Sequence, residues 1–270
     1  MNVVILCEGS SDAAFLGHYM MQAEGFVLRA KNDLPSDHIF DIRAYDGGRI
    51  WMYDAGQDHL AIWAVNGITR LANASARLME NSRNGDESTH VDAVALVMDY
   101  DSEAEAEQYT EACLRTMNAS GMEKRLSSAK DQWCSFAFED GFGKTFRMIV
   151  TAIWIPLGHP GAMESFLMDA LRKKERRTEY LAEQSDGFVE ELVKHRTELP
   201  EDYLQHRRDQ VKAPLAVYFA IASPNRMMQR MSNIIESVDW TKYGEIQTAF
   251  ARLSLEKIRN AWIGKAQCMA

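Results

Sequence analysis

The sequence predicts an α/β fold, a mostly parallel sheet flanked by helices with a helical C-terminal extension. Three observations lead to it. Apolar, β-branched runs at 2–6, 91–98 and 148–155 have the length and composition of buried strands. Segments with helical spacing of apolar residues lie between them, the alternation that builds a parallel sheet. Beyond Arg172 no strand-like run remains, only charged helical segments. A boundary is therefore placed there, separating a domain over 1–171 from an extension over 172–270 that can pack on the same domain.

The elements follow in order. The first strand, Asn2–Leu6, ends at Cys7-Glu8-Gly9. A helix comes next, with Ser10 and Ser11 as caps, Asp12 in its first turn, and Phe15, Leu16, Tyr19 and Met20 on its apolar face. A second strand is expected at Ile39–Tyr45, then a helical stretch over Ile62–Met79 and a polar loop at Asn81–Thr89. The clearest strand, Val91–Met98, runs into Asp99-Tyr100-Asp101, and the acidic, alanine-rich Glu103–Met117 reads as helix. Residues 119–145 are irregular, with Gly141 and Gly143 marking a turn. Strand Met148–Ile155 stops at Pro156, and a helix carrying Met163, Phe166, Leu167, Ala170 and Leu171 follows Gly161.

Composition narrows the class. The 270 residues are 46% hydrophobic and 26% charged, ordinary for a globular protein. No run of eighteen apolar residues marks a membrane span, and Cys-Glu-Gly interrupts the start too early for a signal peptide. The four cysteines, Cys7, Cys113, Cys134 and Cys268, form no C-x-x-C pair and read as reduced thiols of a cytosolic, cytoplasmic protein. The net charge of -9 is uneven: residues 1–171 net -12 and residues 172–270 net +3. An acidic half beside a mildly basic one suits a metal site plus a surface for a polyanion, although two solvated helical faces give the same numbers.

In open parallel sheets functional groups gather beyond the carboxyl ends of strands. Glu8 and the pair Asp99/Asp101 lie there. Residues two apart in extended chain point to one side, so Asp99 and Asp101 can face one ion, and Glu103 extends the pattern to D-x-D-x-E. Clustered carboxylates need a cation, and an all-oxygen set selects Mg²⁺ or Mn²⁺. A single acid at such a position is usually a helix-terminal residue stabilised by the macrodipole; three together favour a site.

The runs VVILCEGSSDAAFL and VDAVALVMDYDSE resemble the two signature motifs of the Toprim (topoisomerase–primase) domain. The stretch IWIPLGHPGAMESFLMDAL resembles the third segment of stand-alone Toprim-like proteins allied to the OLD family of nucleases. The resemblance covers residues 1–171; the helices around Lys212 match more loosely. It implies that Glu8, Asp99 and Asp101 are ligands of one metal, or that Glu8 is its neighbouring acid/base, and that Asp12 and Glu164 serve a second. Two such ions activate a water and stabilise the leaving oxygen of a phosphodiester. Lys212, placed near a helix N-terminus by Pro214, would neutralise charge on the phosphate, although a surface lysine fits the same sequence. The long gap between Glu8 and Asp99 implies an insertion within Arg49–Asn66, and Tyr100 is bulky beside a metal.

Other motifs fall away. Gly141-Phe-Gly-Lys144-Thr145 lacks the first Walker A glycine, which would fall at Phe138, and a strand follows it, so an intrinsic ATPase is excluded. The seven histidines show no zinc spacing; His159, near Glu164 in sequence, reads as a loop residue. The basic stretch Arg172–Arg177 and the pair Arg207-Arg208 suit a phosphate backbone or a solvated helix face equally. The C-terminal helix, with Ile246, Phe250, Leu253 and Ile258, is expected to pack back on the domain or against a second copy as a homo-oligomer. The expectation is a Mg²⁺/Mn²⁺-dependent nuclease acting on DNA or RNA. By analogy with OLD-type relatives, an ABC-type ATPase partner in trans and a defence or repair role follow. The alternatives are a regulatory subunit binding metal or phosphate without turnover, and a small-molecule phosphohydrolase.

Overall fold

The computed structural model describes residues 1–29, 48–84, 90–117, 133–139, 141–199, 204–224 and 231–264. They form two compact units: Met1–Met98, Ser102–Trp154 and Phe250–Ala270 make the first, and Asp99–Asp101 with Ile155–Ala249 the second.

The first unit is built on a mixed, mostly parallel seven-stranded sheet. Its strands are β1 (Asn2–Cys7), β2 (Val27–Leu28), β3 (Arg49–Ala55), β4 (Asp58–Ala64), β5 (Ala93–Asp99), β6 (Cys134–Glu139) and β7 (Thr145–Ile155), in the order β2-β3-β4-β1-β5-β7-β6. β1 runs parallel to β4 and β5, with Cys7 in register with Ala64 on one side and Val97 on the other. The pairs β2/β3, β3/β4 and β6/β7 are antiparallel. Val3, Val4, Ile5 and Leu6 are each no more than 1% exposed, so β1 is covered on both faces and reads as an unbroken apolar run. Burying each such side chain contributes about 1.5–3 kcal/mol.

Helices α1 (Ser10–Glu24), α2 (Leu71–Asn84), α3 (Glu103–Thr116) and α9 (Leu255–Ile263) complete this unit. Leu71, Leu78 and Met79 of α2 and Cys113 and Leu114 of α3 share one core with Val4, Leu6, Trp63, Val94 and Leu96 of the sheet. The expected return of the C-terminal segment is observed: Phe250 packs its ring on Phe15 and Tyr19 of α1, and Leu255 N donates to Glu24 Oε2. Arg147 on β7 donates to the carbonyls of Ala261, Trp262 and Gly264, satisfying the open C-terminal end of α9.

The second unit is helical beyond β7. It comprises α4 (Met163–Lys174), α5 (Arg176–Lys194), α6 (Arg207–Ala222), α7 (Met231–Ile235) and α8 (Gly244–Phe250), whose last residue belongs to the first unit. Helices α4, α5 and α6 pack on one another.

Several expectations need correction. The stretch predicted as helix from Ile62 begins as strand, β4, and the helix starts only at Leu71. The Arg49–Asn66 stretch, where an insertion is expected, is mostly the β3–β4 hairpin, and β4 is the direct neighbour of β1. The irregular region contains an edge strand, β6, and the Gly141–Lys144 turn joins it to β7. Ser10 and Ser11 do not cap α1; Gly9 is the N-cap, and Asp12 Oδ2 accepts its N–H at 2.7 Å, satisfying the end from within the first turn. The strand expected at Ile39–Tyr45 lies outside the described residues. Among the described residues no helix is long and apolar enough to cross a membrane, and Cys7, Cys113 and Cys134 are buried.

Candidate metal centre

In the first unit, Glu8 directly follows β1 and is half-buried. Asp12 is 8% exposed and tied to Gly9 N as described. Glu103 opens α3 on the solvent side, where Ser102 caps the helix by accepting from Glu105 N at 3.2 Å. An acid in that turn is stabilised by the helix dipole whatever else it does.

The second unit holds Asp99, Asp101, Glu164 and Lys212. Asp99 closes β5, and its Oδ1 accepts the backbone N–H of Met163 at 3.0 Å, one of the open donors of α4. The chain is pinned next to it: Tyr100 N donates to Ile155 O at 2.7 Å, and Gly161 N donates to Tyr100 O at 2.8 Å. Gly161 is required there, because a Cβ would meet Ser165 Oγ at 2.4 Å and the Pro156 ring at 2.9 Å. Ser165 Oγ in turn accepts from Ala162 N and donates to Ala162 O, both at 2.8 Å, which fixes the start of α4. Asp101, two residues on, is exposed.

The residue after Met163 is Glu164, 7% exposed. Its Oε1 accepts from Lys212 Nζ at 2.7 Å, while Oε2 is buried with no hydrogen-bond partner among the described residues. Lys212 lies on the second turn of α6, and Pro214 stands inside that helix. The expected helix start at Pro214 is therefore corrected: α6 begins at Arg207, carried past the proline by the buried face of Leu215, Tyr218 and Phe219.

The basic stretch is largely spent on its own chain. Arg172 bridges Asp169 at 2.6 Å and also Asp186, Lys173 pairs with Glu245 at 3.2 Å, and Lys174 donates to Tyr243 Oη at 3.1 Å. Burial pushes the Asp186 carboxyl up, against the pull of Arg172. His159 Nε2 pairs with Asp169 Oδ2 at 3.0 Å, as a loop residue would. Arg176 and Arg177 are exposed. The Asp169–Arg172–Asp186 network was not anticipated; Arg172 and Asp169 share one helix turn, a spacing that signals a local pair.

Among the described residues no group of three or more His, Cys, Asp or Glu side chains is gathered to hold a metal ion. The second unit supplies instead a helix-anchored aspartate and a buried, half-satisfied glutamate paired to a lysine.

The sequence matches no protein-family model and no curated protein. Among solved structures the chain is similar to a hypothetical protein from Pyrococcus horikoshii OT3, at 17% identity and a TM-score of 0.53, over 97% of this chain and 99% of that one. At that identity the likeness concerns the fold alone.

Proposed function

We propose that this protein is a Mg²⁺- or Mn²⁺-dependent nuclease of the Toprim-like kind, cleaving phosphodiester bonds of DNA or RNA. The observation that carries the reading is Glu164. A carboxylate this buried is costly unless each oxygen is satisfied, yet Oε2 has no partner among the described residues. Such an oxygen on a hard donor fits a divalent cation. Asp99 and Asp101 belong to the same unit and bring further carboxylate oxygens to it.

When bound, the cations would acidify a water and neutralise charge on the phosphodiester. The chain's own groups have separate tasks. Met163 N holds the Asp99 carboxyl in one orientation, and the α4 N-terminus lends it positive potential. Lys212 supplies a monovalent positive charge within the same unit, suited to a phosphate oxygen. A partner ATPase and a defence or repair role remain part of the proposal by analogy with OLD-type proteins.

The test incubates purified protein with plasmid, single-stranded DNA and transfer RNA in Mg²⁺, Mn²⁺ or EDTA, beside Asp99→Ala and Glu164→Ala. Metal-dependent cleavage that falls at least about 100-fold in both variants is expected, the scale of losing an electrostatic group. Cleavage unchanged in Asp99→Ala refutes the assignment. Metal binding without cleavage of any polymer points instead to a regulatory subunit.

A further inference from the structure

We infer that Lys212 is a built-in counter-ion that a divalent cation must displace from Glu164, so that the pair gates metal loading; the inference rests on the metal-dependent reading above.

Three features of the pair lead there. The first is its incompleteness. Lys212 presents its donors from a single nitrogen and reaches Oε1 at 2.7 Å, leaving Oε2 buried and without a hydrogen-bond partner among the described residues. An arginine fork would have engaged both oxygens. A buried acceptor left in this way calls for an explanation beyond the pair itself.

The second is asymmetry. The Glu164 side chain is 10% exposed and that of Lys212 33%. Glu164 sits in the first turn of α4, whose start is fixed by the Ala162–Ser165 hydrogen bonds, whereas Lys212 ends a flexible four-carbon stem. Lys212 can move its ammonium into water at little cost; Glu164 cannot follow. The lysine is the member that leaves.

The third is charge. The two oxygens share one carbon, so a divalent cation on either lies close to an ammonium still bound to the other, and like charges conflict. Loading therefore requires Lys212 to retreat. Once released, its charge remains in the neighbourhood for a phosphate oxygen, and by linkage a polyanion that captures Lys212 favours loading in the same measure.

The experiment titrates Mn²⁺ calorimetrically into metal-stripped full-length protein, comparing wild type with Lys212→Met, Lys212→Gln, Lys212→Arg and Glu164→Gln, with thermal unfolding recorded with and without Mn²⁺. Lys212→Met and Lys212→Gln are expected to bind Mn²⁺ about tenfold tighter, equivalent to about 1.4 kcal/mol. Both melt lower without metal and recover when Mn²⁺ is added. Lys212→Arg, able to hold both oxygens, binds more weakly than wild type. In the Glu164→Gln background, Lys212→Met changes nothing. Mn²⁺ binding that is equal or weaker in both Lys212→Met and Lys212→Gln overturns the gate while leaving the metal site standing. Absence of binding in every protein overturns the metal-dependent reading, and the gate with it.

Discussion

Gly17 sits in the middle of α1, the helix that carries Asp12, and it faces the phenol of Tyr53 on β3. A Cβ at this position would lie 2.0 Å from Tyr53 Oη and 2.7 Å from Cζ. In an unencumbered helix, glycine to alanine gains about 1 kcal/mol. Here the gap to Oη must open from 2.0 Å to at least 3.4 Å for ordinary contact. Tyr53 is 4% exposed, so its ring has little solvent to turn into, and α1 or β3 has to shift. Overpacking of this kind costs about 1–3 kcal/mol, and more where backbone moves. Set against the helical gain, the clash leaves a net loss of up to about 2 kcal/mol for Gly17→Ala and a fall in melting temperature of up to about 8 °C for a chain of this size. Circular dichroism of thermal and urea unfolding measures it, on wild type, Gly17→Ala, Tyr53→Leu and the double variant. With the phenol gone, Gly17→Ala should become neutral or stabilising, a coupling of at least about 1 kcal/mol. Gly17→Ala melting at or above wild type would refute the reasoning, because the Tyr53 ring would then yield freely.

Two further outcomes follow from ionisable groups. The hydrogen bond from Arg29, aided by His59, holds the Asp54 carboxyl below its ordinary value. Its contribution is therefore full above the unfolded carboxylate value of about 3.9 and is lost as pH falls through the lower folded value. Asp54→Asn should flatten that acid limb of the stability profile by under about 1 kcal/mol, since the group is a third exposed; an unaltered limb refutes the assignment. Burial pushes the Cys113 thiol up to about 11, and Cys7 and Cys134 are equally enclosed. Native protein at pH 8 should leave all three unmodified by a thiol reagent until denaturant is added. Peptide mapping that finds Cys113 labelled in the native state contradicts this.

What was legible in the sequence depended on whether a local rule and the tertiary structure agreed. β1 and β5 were read correctly because burial on both faces leaves an unbroken apolar run that no other element explains at that length. The same property misled at β4. Leu60–Ala64 lies next to β1 and is buried throughout, and a short continuous apolar run cannot be told from the start of a buried helix by periodicity. The available signal was the turn: Gly56-Gln57 links Ala55 to its partner Asp58, with Gly56 at φ +63°, a two-residue connection that marks a hairpin. Pro214 failed in the opposite way, since a rule for helix starts was applied where burial of Leu215, Tyr218 and Phe219 carries the helix through.

The Glu164–Lys212 pair marks a different limit. Each residue had been singled out, Glu164 from a segment resembling a known family and Lys212 from its neighbourhood to a proline, yet no periodicity or motif connects positions 48 residues apart. Their meeting depends on the packing of α4 against α6, which is set by apolar faces rather than by the charged residues themselves. A cation of this kind is therefore chosen by distance, and only the folded chain reveals which of many lysines it is. The consequence is specific. On the proposed gate, a change in the α4–α6 packing that leaves both charges intact but draws Lys212 away from Glu164 should shift Mn²⁺ affinity in the same direction as Lys212→Met, because in both cases the carboxylate is left unguarded.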